Sequence, residues 1–170
     1  MGLATFIGGI HPFEGKELSE DKPIKYLEPL QGEVMVYPLS QHIGAPAKPL
    51  VAKGDHVLKG QIIAEAGGFI SANVLSSVSG TVKGIESKLV ANGAMVQSIL
   101  VENDGEEEAI EGFGTDRDAS KLSKEEIRQI VKDAGIVGLG GAGFPTNVKL
   151  SPKNEDAIEY ILINGAECEP

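Results

Sequence analysis

Glycine and proline cut the chain between residues 30 and 101 into short apolar runs, and this punctuation limits the fold more than any other feature. Residues 33–39, 56–58, 61–65, 77–82 and 95–102 are rich in Val, Ile and Leu. Turn sequences such as Lys53-Gly54-Asp55, Lys59-Gly60 and Ala91-Asn92-Gly93-Ala94 separate them. Runs this short, so closely bounded by turn residues, suit strands rather than helices. Several short strands at such spacing predict a small sandwich or barrel, placed here at residues 29–104.

The second constraint is Gly138-Leu139-Gly140-Gly141-Ala142-Gly143-Phe144-Pro145-Thr146, with four glycines in six residues. Glycine leaves no side chain between the backbone and an approaching molecule. It also tolerates the positive φ angles that aim successive N–H groups at one point. Such a loop suits a phosphate, and a following helix N-terminus would add donors and a positive dipole end. Gly138, Gly140 and Gly143 satisfy G-x-G-x-x-G, but the dinucleotide fingerprint follows a buried strand. Here the preceding segment reads as a helix. No Gly-Lys-Ser/Thr follows, so a P-loop is excluded as well. The competing reading is a flexible linker, against which Phe144-Pro145 argues, because a linker has no use for an aromatic and a rigid imide.

The helix before the loop is well marked. Ser123-Lys124-Glu125-Glu126 is a capping box, Ile127, Ile130, Val131 and Ala134 form one apolar stripe, and Gly135 stands where a helix C-cap requires it. A short helix is expected over residues 147–150, with Pro145 suited to its first turn. A strand is expected over 157–163, with Asn164 and Glu167 just beyond its C-terminal edge, where open α/β sheets bind ligands. One strand and two helices cannot close a core. Residues 121–170 therefore read as the truncated start of a larger α/β domain. Residues 105–120, acidic and glycine-bearing, read as a linker, and residues 1–28 as a segment wrapping the first domain.

The net charge of −10 over 170 residues argues against nucleic acid and anionic lipid as partners. A single cysteine, Cys168, excludes an internal disulfide framework and a cysteine-only metal site. His11 and His42 lack partners in metal-ligand spacing and read as structural. No run is long and apolar enough to span a bilayer, and Met1-Gly2-Leu3-Ala4-Thr5 does not resemble a secretory signal.

Gly54-Asp55-x-Val-x-x-Gly60-Gln61, followed by Ser77-Val78-Ser79-Gly80-Thr81-Val82, resembles the lipoyl and biotinyl carrier fold. That resemblance implies a flattened barrel of two matching halves. It also implies an exposed hairpin carrying a modified lysine, but Phe69 occupies the corresponding place and no lysine lies between Gly60 and Gly80. The carrier role is therefore not expected. The glycine-rich, apolar tip predicts a packing module that docks on a neighbouring domain.

The glycine loop, Lys149 and Asn164-Gly165-Ala166-Glu167-Cys168-Glu169-Pro170 resemble the flavin-carrying, NADH-oxidising subunit of respiratory complex I. They resemble the RnfC family of Rnf electron transport complexes more closely still. Gly8-Gly9-Ile10-His11-Pro12, Gln41-His42-Ile43-Gly44-Ala45-Pro46-Ala47 and Gly54-Asp55-x-Val-x-x-Gly60-Gln61 together decide for the Rnf family, because the complex I protein does not begin this way. The resemblance implies a mixed architecture: an all-β barrel-sandwich hybrid, then the start of an α/β flavin- and NADH-binding domain. It implies FMN and NAD(H) as cofactors of the full-length protein. Gly138, Gly140 and Gly141 match positions of close approach, with Gly143 in the same cofactor-binding set, Phe144 an aromatic against the adenine end of the nucleotide, and Lys149 a cation near the phosphates or substrate. Asn164 and Glu167 match flavin contacts, and Glu169 a carboxylate near the nicotinamide nucleotide. Two departures, Ala166 for an acidic residue and Leu139 for an arginine, predict weaker or rearranged flavin contacts.

The same resemblance places two 4Fe-4S clusters downstream of these residues, in cysteine sets that this stretch does not contain. It implies a peripheral subunit on the cytoplasmic side of the cell membrane, working with other Rnf subunits and ferredoxin in ion-coupled electron transfer. The stretch alone is expected to be inactive. Two alternatives stay open: a non-catalytic scaffold or assembly module built on a carrier-like barrel, and a flavoprotein of the cobalamin-reductase type, whose domain order differs.

Overall fold

The computed structural model describes residues 15–23, 25–139 and 141–163. They belong to two compact units, one of residues 29–157 and one comprising the chain before and after it. The larger unit holds all seven strands and both α-helices found among the described residues.

Its barrel has two sheets. The four-stranded sheet runs β1 (Val34–Pro38), β7 (Met95–Asn103), β6 (Gly80–Leu89), β3 (His56–Val57). The three-stranded sheet runs β2 (Lys48–Pro49), β4 (Ile62–Glu65), β5 (Val74–Leu75). All the strand pairs are antiparallel. Along β1 the pleat turns Met35 and Tyr37 towards the core and leaves Val34 and Val36 half-exposed. Val57, Ile63, Val78, Val82, Ile99 and Val101 fill the space between the sheets and are almost completely buried. Each such side chain contributes about 1.5–3 kcal/mol of apolar burial. Tyr37 sits at the core edge because its hydroxyl has partners there, the Ser77 hydroxyl at 2.8 Å and the Ser77 N–H at 3.0 Å.

The sequence reading ends the fourth run at Val82, yet β6 continues to Leu89. A register shift between Val82 and Gly84 absorbs one residue and lets pairing resume to Leu89 opposite Met95. The β6–β7 ribbon therefore runs on as an arm, with Leu89 71% and Met95 61% exposed. At its tip Val90 and Gly93 close the turn, and the Asn92 Oδ1 accepts the Ala94 N–H at 3.0 Å.

The glycine-rich stretch at residues 66–71 packs on its own barrel. Ala45 N–H donates to the Ile70 carbonyl at 3.0 Å, and the Ser71 hydroxyl donates to the Ala45 carbonyl at 2.8 Å. The Phe69 side chain projects, 84% exposed. The acidic segment after the barrel is pinned at its start. Lys59 and Ala109 form a parallel bridge, and the Phe113 ring lies on the bare face of Gly60.

Helix α1 (Lys124–Asp133) begins on the expected capping box, Ser123 taking the Glu126 N–H while the Glu126 carboxylate takes the Ser123 N–H. Its C-terminus abuts β5. Gly135, at φ +62°, lies so close to Asn73 that an added Cβ would come within 2.4 Å of the Asn73 carbonyl oxygen. The Asn73 amide in turn reaches the carbonyls of Lys132 and Asp133, at 3.4 and 3.5 Å. The helix end docks on the barrel at Asn73 and Gly135, and Asn73 Oδ1 also accepts the Ala66 N–H at 2.9 Å.

Helix α2 (Thr146–Lys149) is a single turn, with Pro145 at its N-cap rather than inside it. Arg128 of α1 holds this region in place. Its guanidinium donates to the Leu150 carbonyl at 2.7 Å and pairs with Glu155, which Lys124 also engages. The expected strand over 157–163 is not formed. Residues 158–163 have no regular structure, and Tyr160, Ile161, Leu162 and Ile163 are each more than 80% exposed. A strand exists only through its ladder, and no described segment offers these residues one.

Candidate glycine-loop site

The loop between the helices is a closed hairpin. Val137 and Pro145 form an antiparallel bridge, the Gly138 N–H donates to the Phe144 carbonyl at 3.0 Å, and the Thr146 N–H donates to the Ile136 carbonyl at 2.9 Å. These bonds hold the loop ends together and rule out a flexible linker.

The barrel takes the other side of the loop. The Ile43 N–H donates to the Ala142 carbonyl at 2.9 Å. Gly143 is buried against the barrel, and a Cβ there would stand 2.8 Å from the Gln41 carbonyl oxygen and 3.3 Å from the His42 Cα. Glycine at 143 thus allows backbone to meet backbone. Gly141, at φ +58°, has open space around its α-carbon, and its need for glycine is conformational. His42 is buried and both its ring nitrogens are committed: the Ala72 N–H donates to Nε2 at 3.1 Å, and Nδ1 donates to the Ile43 carbonyl at 3.0 Å. The imidazole thereby fixes the barrel segment on which the loop rests.

Between loop and barrel lies a cleft of about 470 Å³. Gly138, Leu139, Gly141, Ala142 and Gly143 form one wall, and Ser40, Gln41, His42, Ile43 and Asn92 the other. Its volume is in the range of small-molecule sites, about 300–1,000 Å³. Among the described residues the lining contains no Lys, Arg, Asp or Glu. Among the described residues, the N–H groups of Leu139, Gly141 and Ala142 have no backbone acceptor. An uncharged cleft with main-chain donors suits a flat polar ring better than a bare phosphate, which calls for cations.

Of the residues singled out from sequence, Gly138, Gly141 and Gly143 come together here. Phe144 stands half-buried at the loop's closing bond and is not among the lining residues. Lys149 is exposed at the end of α2, also outside the cleft. With one turn only, α2 lacks the dipole that a phosphate site at its start would need. Gly140, Asn164, Glu167 and Glu169 lie outside the described residues, as does His11. Ser40, Gln41, Ile43 and Asn92 were not legible as site residues, because only the docking of loop on barrel brings them there. Among the described residues no three His, Cys, Asp or Glu side chains gather to hold a metal.

The molecule is thus of a definite class: a carrier-type barrel without the carrier lysine, joined to a glycine-loop segment of the flavin-binding kind. Residues 4–106 match the RnfC barrel sandwich hybrid domain, and residues 131–170 match the Nuo51 FMN-binding domain. The chain belongs to the RnfC family. It is 44% identical over 168 residues to the RnfC-type protein of the proton-translocating ferredoxin:NAD(+) oxidoreductase complex of Clostridium ljungdahlii, covering 99% of this chain and 36% of that protein. It is 43% identical over 169 residues to its counterpart in the Na(+)-translocating ferredoxin:NAD(+) oxidoreductase complex of Acetobacterium woodii, covering 98% of this chain and 37% of that protein. With the corresponding protein of the ion-translocating oxidoreductase complex of Haemophilus influenzae it shares 40% identity over 170 residues, covering 99% and 26% respectively. The chain spans roughly a third of the length of the first two of these curated relatives.

Proposed function

We propose that these residues are the N-terminal part of a subunit that exchanges electrons between NAD(H) and ferredoxin within an ion-translocating membrane complex. FMN and NAD(H) would bind at the glycine loop, and 4Fe-4S clusters held elsewhere in the full-length protein would supply the onward electron path. The carrying observation is the docked glycine loop, in which main-chain amides and barrel residues border an open cleft that has no charged side chain among the described residues. The cleft's size and donor set fit a flavin ring. When bound, FMN would take a hydride from NADH and release its electrons singly. The protein's share of the work is to position the ring with the bare backbone of Gly138 and the N–H groups of Leu139, Gly141 and Ala142, and to place Phe144 and Lys149, which stand outside the cleft, for the outlying parts of the nucleotide. Gly140, Asn164, Glu167 and Glu169 complete this assignment. No helix among the described residues is long and apolar enough to cross a membrane. We assign the protein a peripheral position on the cytoplasmic face, beside the other Rnf subunits.

Full-length protein prepared without air should show flavin absorbance that NADH bleaches. Phe144→Ala should raise the KM for NADH about tenfold, the effect of losing one stacking contact of about 1–1.5 kcal/mol, while Lys53→Ala, on an exposed barrel turn, should leave it unchanged. Equal effects of the two would refute the site assignment. A colourless protein indifferent to nicotinamides would refute the function.

A further inference from the structure

The cleft has a wall that the glycine loop does not supply. Asn92 stands at the tip of the β6–β7 arm, and Ser40 and Gln41 follow β1 in the barrel, yet all three line the same space as Gly138 and Gly141. Their polar groups are only partly used. The Asn92 Oδ1 is held by the Ala94 N–H, and among the described residues its Nδ2 retains both donors. Gln41 gives its Nε2 to the Pro38 carbonyl at 3.0 Å, leaving Oε1 as an acceptor. The Ser40 hydroxyl, exposed, can do either. These residues therefore offer donors and acceptors, without charge, to the same cleft. The chemical partner of such a set is an amide or imide edge, which itself alternates acceptor and donor.

We propose that Asn92, Ser40 and Gln41 recognise the amide-bearing edge of the redox ring bound at the glycine loop, making the barrel a specificity element of the site. The inference rests on the functional reading above and names the ring edge as what the barrel reads. It also gives the extension of β6 past its bulge a purpose: the ribbon carries Asn92 to the cleft, beyond the reach of a barrel strand that ended at Val82.

The test uses full-length protein and two probes. FMN, followed by fluorescence quenching, reports the flavin imide, and the KM for NADH, followed by reduction of an artificial acceptor, reports the nicotinamide carboxamide. Asn92→Asp keeps the oxygen that caps Ala94 and so preserves the tip, but it removes the Nδ2 donors. It should weaken one of the two probes at least fivefold, and the affected probe identifies the ring. Ser40→Ala should weaken the same probe about two- to fivefold, as expected for one neutral hydrogen bond. If wild-type protein binds both probes and both variants stay within twofold of it, this inference is overturned and the functional reading stands. Wild-type protein that binds neither probe overturns both.

Discussion

Asp104 carries more of the barrel's polar architecture than its place at the surface suggests. One of its oxygens accepts the Ser79 hydroxyl at 2.6 Å and the Glu106 N–H at 2.9 Å, while the other meets His56 Nε2 at 2.9 Å. Ser79, wholly buried, also accepts the Glu108 N–H at 3.1 Å. The cluster therefore ties β3, the start of β6 and the segment leaving β7. The Ser79 hydrogen bond, then that from Glu106 and the His56 contact, hold the Asp104 carboxyl below the usual aspartate range. A depressed carboxylate stabilises the fold fully above its unfolded value of about 3.9, and the contribution disappears as pH falls through the lower folded value. Asp104→Asn should cost about 1–2 kcal/mol near neutral pH, the worth of weakened charge-assisted bonds. Urea titrations of both proteins should keep a constant gap above about pH 5 and converge as the pH is lowered from about 4 through the lower folded value. A gap that stays constant over that range would show that the charge is irrelevant.

At the scale of elements, the parts legible in sequence are those whose cause is local. The capping box at Ser123 and the stop at Gly135 depend on residues a few positions apart, and both form as read. Strands β2 and β5 are two residues long and exist through partners across the sheet, so no periodicity announces them. Gly84 ends a register shift that begins at Val82, an irregularity that hides the second half of β6. The run at 158–163 has the composition of a strand and no ladder to join. The clamp behind the glycine loop was likewise invisible, because Arg128 and Glu155 lie on separate elements. Glu155 pairs with Lys124 and Arg128, which together hold its carboxyl down to about 2. Arg128→Met keeps much of the apolar stem but loses the bonds to Leu150 and Glu155. Amide exchange should then accelerate over residues 146–157 and remain unchanged in β6 and β7. Uniform acceleration would instead mean that Arg128 supports the whole unit.

For the whole molecule, the decisive relation is that between barrel and loop. The barrel's own stability rests on its apolar centre, so Ile99→Ala should destabilise the unit by about 2–5 kcal/mol in denaturant unfolding. The loop is coupled to that barrel at one narrow place, where Gly143 meets Gln41 and His42 and Ala142 accepts the Ile43 N–H. Half of the candidate site's lining is barrel, so detaching the loop should abolish the cleft without unfolding anything. Gly143→Val tests this. Its Cβ would sit 2.8 Å from the Gln41 carbonyl oxygen, and φ +59° is among the least tolerated angles for a β-branched side chain. Gly141→Ala meets a similar angle, φ +58°, in open space, and costs only the backbone strain of about 1–2 kcal/mol. In the full-length protein Gly143→Val should expose residues 138–146 to protease and weaken FMN binding more than tenfold, with the circular dichroism of the barrel unchanged. Gly141→Ala should leave the loop as protected as in the wild type. If the two variants were cleaved equally fast, backbone conformation alone would govern the loop, and the close approach at Gly143 would not be what joins it to the barrel.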